Sequence, residues 1–138
     1  MKNILLLSFL FLFQIGLAQE ENPVPVEDVF EVDAVDYSPS FPGGIDNFYS
    51  FFENNFKKPD VPQLLGKLFI SFIVEKDGTL SDIRTIKDVG FDSGSEAERV
   101  MQLSPKWNAG RKNGKRVRVL YTIPIPIQTK WNHNSKLI

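Results

Sequence analysis

The sequence predicts an α+β domain in which two helices accompany a β-hairpin and one further strand. Three observations carry this. Apolar residues recur at helical spacing from Ile45 to Phe56, two strand-like runs flank Asp77-Gly78, and a long alternating run, Lys115 to Gln128, follows a second short helical stretch.

The first helix opens after "FPGG" at Phe41 to Gly44, a turn signal. Ile45, Phe48, Tyr49, Phe52 and Phe56 then share a face that Phe51 widens, and the helix ends near Asn54-Asn55. An aromatic stripe of this kind is core far more often than a cofactor box, so this helix covers a sheet. Pro59 and Pro62 break it. From Lys67 to Glu75, "KLFISFIVE" puts Leu68, Ile70, Phe72 and Val74 on one face and Phe69, Ser71 and Ile73 on the other. A strand apolar on both faces is central. Asp77-Gly78 tolerates the positive φ of a primed turn, and "LSDIRTIK" returns as the second strand. After Gly94, Ser95 and Glu98 have capping-box spacing, and Ala97, Val100 and Met101 form a narrow apolar face. This second helix stops before Pro105. Gly110 and Gly114 bracket a loop ahead of the last strand.

In that strand Val117, Val119, Tyr121, Ile123, Ile125 and Ile127 share one face, while Arg116, Arg118 and Thr122 point the other way. Pro124 and Pro126 delete two N–H donors on the same side, because residues two apart direct these groups alike. Prolines so placed belong to edge strands, so the last strand lies at the sheet edge, at least in its second half. An exposed edge is a binding opportunity or an aggregation hazard.

The 138-residue chain begins with Lys2, an apolar run from Ile4 to Phe13, and Gly16-Leu17-Ala18-Gln19. This is the pattern of a secretory signal peptide cleaved after Ala18, and the run is shorter than the roughly 20 apolar residues of a membrane span. The expected organisation is a signal peptide over 1–18, an acidic extended leader over 19–40, a folded domain over 41–130 and a tail over 131–138. The leader carries Glu20, Glu21, Glu27, Asp28, Glu31, Asp33 and Asp36, and no basic residue follows the signal until Lys57. With no cysteine, the chain has neither disulfides nor a thiolate site, and its phenylalanines supply the packing.

Chemistry-bearing patterns are sparse. His133, the single histidine, lies in the polar tail and reads as solvated rather than as a metal ligand. "GFDSGSE" is not the Gly-x-Ser-x-Gly of a nucleophile elbow, and no phosphate-cradling loop or dinucleotide fingerprint occurs. Asp82, Asp88 and Asp92 read as solvated. The expectation is therefore a non-enzyme with no cofactor, no metal, no nucleic acid and no small-molecule substrate.

The order of "SPSFPGG", "GKLFISFIVEKDGTLSDIRTIKDVG" and "EAERVMQLSPKWNAGRKNGKRVRVLYTIPI" resembles the C-terminal domain of TonB in the form common in Bacteroidetes-type bacteria, over roughly Pro39 to Ile127. The resemblance implies a two-layer α+β domain with a three-stranded antiparallel sheet packed on two helices. It also implies a periplasmic domain that grips a TonB-box-like segment of an outer-membrane transporter, or another envelope protein, as an added strand beside the final strand. The partner-binding residues are then Arg116, Val117, Arg118, Val119, Leu120, Tyr121, Thr122 and Ile123. Trp107 is expected to pin the second helix to the sheet. Lys112, Lys115, Arg116 and Arg118 either attract an acidic partner or simply decorate the strand. A complete TonB has an uncleaved membrane helix and a long Pro-rich spacer; here the first segment reads as cleavable, and a short leader at about 3.3 Å per residue does not cross a periplasm. A short inner-membrane-anchored energy transducer, and a homodimerisation module using the same edge, are the alternatives.

Overall fold

The computed structural model describes residues 27–130. The expected signal peptide and the tail with His133 lie outside them. In chain order the elements are β1 (Val29–Glu31), a 3-10 turn (Val32–Ala34), α1 (Ile45–Asn55), β2 (Leu65–Val74), β3 (Leu80–Lys87), α2 (Ser93–Gln102), β4 (Gly110–Lys112) and β5 (Lys115–Gln128). The sheet is mixed and five-stranded, ordered β1-β5-β2-β3, with β4 also pairing β5. The α+β class and the two helices hold. The three expected strands are β2, β3 and β5, with β2 antiparallel to both of its neighbours, and the sequence reading missed the two three-residue strands.

β2 is central because both of its faces can be buried or half-buried. Leu68, Ile70, Phe72 and Val74 are fully buried on the helix side, and on the far side Ile73 is buried while Phe69 and Ser71 are half-exposed. α1 lays Phe48 and Phe52 on the inner face, and α2 adds Ala97, Val100 and Met101. At about 2–3 kcal/mol for each fully buried large side chain, these residues are the main source of stability. Trp107 sits at the centre, with ring centroids 5.2–5.7 Å from Phe41, Phe48, Phe72 and Tyr121. Its indole N–H donates to Ser104 Oγ at 2.9 Å.

The β2–β3 hairpin is present, but its turn is not primed. Gly78 N–H donates to Glu75 O and Glu75 N–H to Thr79 O, and of the two turn residues only Gly78 has positive φ, +85°. This is the three-residue loop closed by a left-handed glycine. A Cβ at Gly78 would stand 2.1 Å from Trp107 O, whose own N–H donates to Gly78 O at 2.8 Å, so the turn is fitted against the tryptophan backbone. The primed turn occurs instead at Asn113-Gly114, with φ +51° and +75°, joining β4 to β5. The stretch expected to be a loop is a second hairpin.

The capping box is not formed. α2 starts at Ser93, after Phe91 and Asp92 in left-handed geometry, and Ser95 Oγ donates to Asp92 O. Glu98 instead accepts from the backbone N–H of Thr85 in β3 at 2.9 Å. That edge donor attracts the carboxylate more usefully than a helix end already closed by backbone, since Glu96 N–H donates to Asp92 O. At the other end of the pair of helices, Glu96 accepts from Arg99 and from Lys57 N–H at 2.9 Å, while Arg99 donates to Asn55 O at 2.8 Å. The Arg99 guanidinium, helped by Lys57 N–H, holds the Glu96 carboxyl at a pKa of about 2.

Candidate functional site: the outer edge of the last strand

β5 has an inner and an outer side, and its prolines show which residues face which. β2 pairs with β5 without a break from Val74↔Val119 to Leu65↔Gln128. A proline cannot join a pair that exchanges N–H···O bonds, so Pro124 and Pro126 occupy the alternate pairs. The odd residues from Val119 to Ile127 therefore bond β2, and the even residues Arg118, Leu120, Thr122, Pro124, Pro126 and Gln128 turn their backbone groups outward. Consistent with this, Pro124 O accepts the Tyr49 hydroxyl from α1 at 2.9 Å. The two-residue turn makes Lys112 and Lys115 the closing pair of the second hairpin, which puts β4 on the inner side, in line with β2.

The outer side has its own occupant. β1 runs parallel to β5 with Val29↔Arg118, Phe30↔Val119 and Glu31↔Leu120 in register. Within the described part of the expected leader, Val29–Glu31 pairs with the domain and a 3-10 turn at Val32–Ala34 follows. Tyr37 and Ser40 make further bridges to Arg111 and Asn108.

The structure distributes the sequence-predicted site residues in three groups. Arg116 and Val117 lie in the β4 hairpin, Arg118 to Leu120 lie beside β1, and Tyr121 to Ile123 run beyond it. Val119 and Ile123 are buried and Tyr121 is half-buried in the aromatic cluster, so their side chains serve the core. Outward backbone is left to Arg116, Arg118, Leu120 and Thr122.

Around this window the side chains are basic and ordered by specific partners. Arg118 donates twice to Glu75, Nε to Oε2 at 2.7 Å and Nη2 to Oε1 at 3.0 Å, and its Nη1 donates to Glu27 O at 3.0 Å. The Arg118 guanidinium holds the Glu75 carboxyl below its ordinary value against the opposing effect of partial burial. Lys76 pairs with the Glu27 carboxylate. Lys112 Nζ stands 4.6 Å above the Phe30 ring and donates to Ala34 O at 2.8 Å, while Asn113 N–H donates to Asp36 Oδ2 at 2.7 Å. Two of the four basic residues singled out in the sequence, Lys112 and Arg118, thus engage the acidic leader. Glu27, Phe30, Glu75 and Lys76 escaped the sequence reading. The short apolar run of "DVFEV", set between acids and opposite a basic strand, is the signal that points to them.

Past Thr122 the outer side changes. Tyr49 and Phe52 of α1, Phe56 just past its end, and Ile125 and Ile127 of β5 line a groove of about 660 Å3, with Lys58, Lys67 and Lys130 around it. Among the described residues no cluster of three or more His, Asp or Glu could hold a metal, and no helix is long and apolar enough to cross a membrane.

The site is thus one side of the last strand of an α+β domain, where backbone groups point outward. Residues 63–126 match the family described as Gram-negative bacterial TonB protein C-terminal. The matched span takes in β2, β3, α2, β4 and most of β5; α1 and the leader strand precede it. No curated protein and no solved structure matches the chain.

Proposed function

We propose that the chain is a non-enzymatic, periplasmic capture module that recognises an extended segment of an outer-membrane transporter, or of another envelope protein, by strand addition at the outer side of β5. The match of residues 63–126 to the TonB C-terminal family supports a TonB-like envelope transport context. The observation that carries the finer reading is that the Arg118–Leu120 edge accepts a strand, β1, while the adjoining Pro124–Pro126 edge has no N–H to offer one. Backbone pairing at Arg116 to Thr122 supplies affinity, and Lys76, Lys112 and Arg118 select for acidic side chains.

The test is amide NMR of the mature protein titrated with synthetic peptides taken from periplasm-facing segments of outer-membrane transporters of the same cell. Shifts concentrated at Arg116, Arg118, Leu120 and Thr122 are expected. Shifts confined to the α1–β5 groove, or none with any peptide, refute strand addition at this edge. The mass of the native protein in membrane and soluble fractions distinguishes a cleaved module starting at Gln19 from an anchored transducer. Sedimentation at micromolar concentration tests dimerisation through the same edge.

A further inference from the structure

We propose that β1 is an autoinhibitory strand: the chain's own acidic leader occupies the capture edge and must leave before a partner segment can pair there. The inference rests on the strand-addition reading above and adds a competitor to it.

Three observations support it. First, β1 lies on the only stretch of the outer side with consecutive backbone donors free of proline and of Tyr49; the alternation aims the N–H and C=O of Phe30 at Arg118 and Leu120. Second, the contacts that hold it suit a removable strand. β1 contributes no residue to the buried core, Val29 and Glu31 are exposed and Phe30 is half-buried. The Lys76–Glu27 pair is about half-exposed on both sides, a class of ion pair that adds little. Third, the same basic groups expected to select a partner, Lys76, Lys112 and Arg118, are already engaged by the leader.

A strand this short stays in place because it is tethered. Tyr37 and Ser40 hold the chain a few residues downstream, so β1 rebinds from an effective concentration on the millimolar scale. A free partner meets the edge only in the fraction of molecules where β1 is off, and its apparent affinity falls by that fraction. An edge open 10 % of the time binds about tenfold more weakly than one that is always open.

The experiment uses the mature chain and a synthetic peptide copying residues 27–34, "EDVFEVDA", as probe, with binding followed by calorimetry and amide NMR. Phe30→Pro removes the donor that β1 aims at Arg118 without touching the core. Glu27→Lys, which deletes no backbone donor, turns the pairing with Lys76 and Arg118 into repulsion. Both variants are expected to keep the wild-type spectrum of β2, β3 and the helices and to bind the peptide at least tenfold more tightly than wild type. Adding Leu120→Pro to either is expected to abolish that binding. Equal affinity for wild type and both variants overturns autoinhibition and leaves the edge as a capture site. Failure of the peptide to bind either folded variant also overturns it, while the transporter-peptide titration decides separately whether the edge captures a partner.

Discussion

The two halves of β5 share one core and differ on their outer side. From Lys115 to Thr122 the strand presents backbone N–H and C=O groups flanked by cations, and β1 sits there. From Ile123 to Gln128 two prolines remove donors and the Tyr49 hydroxyl takes the Pro124 carbonyl. The inner residues of both halves do the same work: Val119, Ile123, Ile125 and Ile127 are all buried and paired to β2. One strand can therefore be structural on one side along its whole length and open to strand pairing on the other for only part of it. The prolines act as a boundary marker, confining pairing to a short window and protecting the rest from non-specific strand addition.

The comparison is broken most severely by exchanging inner for outer. Val119→Pro deletes a donor to β2 at a fully buried position and is expected to cost about 3 kcal/mol or more in urea unfolding. Leu120→Pro, one residue along, faces outward and is expected to cost under about 1 kcal/mol while releasing β1. Equal losses for the two would refute the assignment of sides. Next, Tyr49→Phe removes the hydroxyl that covers the Pro124 carbonyl and is expected to cost about 1 kcal/mol, read as a shift in the unfolding midpoint. The double variant Pro124→Ala/Pro126→Ala restores two outward donors. Its stability is expected to change by no more than about 1 kcal/mol, and its signature is self-association in sedimentation; a strict monomer would show that Tyr49 alone closes that half.

The smallest effect is that of acid on the edge. Arg118 lowers the Glu75 pKa in the folded protein, so the unfolded chain takes up that proton more readily. The stabilisation is complete above the unfolded value, near 4.5, and is lost as pH falls through the depressed folded value. Loosening of Arg118 and of the neighbouring β1 amides is expected only below about pH 4.5, as line broadening confined to that corner. Glu96, held at about 2, fades over a range from about 4.5 down to about 2 and should register in α2 instead.

Much of this architecture was legible in the sequence. Periodicity located α1, β2, β3 and β5 because each is long and its apolar pattern answers to one buried face. The proline pair correctly marked an edge with missing donors. What stayed hidden depends on contacts between distant residues. β1 has no periodicity of its own over three residues and exists because β5 offers it partners nearly 90 positions away, Val29 to Arg118. Glu98 obeys the spacing of a helix cap, yet an unpaired β3 donor draws it across the domain. Asn113-Gly114 was an overlooked local signal, a stronger primed-turn pair than Asp77-Gly78 because both residues take up positive φ.

The central place of β5 in the sheet has a consequence for how the protein is made. It is the last of the described elements in chain order, and β1, β2 and β4 all pair with it. Until Lys115 to Gln128 is available, β2 carries apolar side chains on both faces with only β3 beside it, and the nascent chain cannot close its sheet. Folding is therefore rich in long-range pairing, which slows it. Truncations just before the final strand are therefore expected to be degraded rather than to accumulate as partly folded domains.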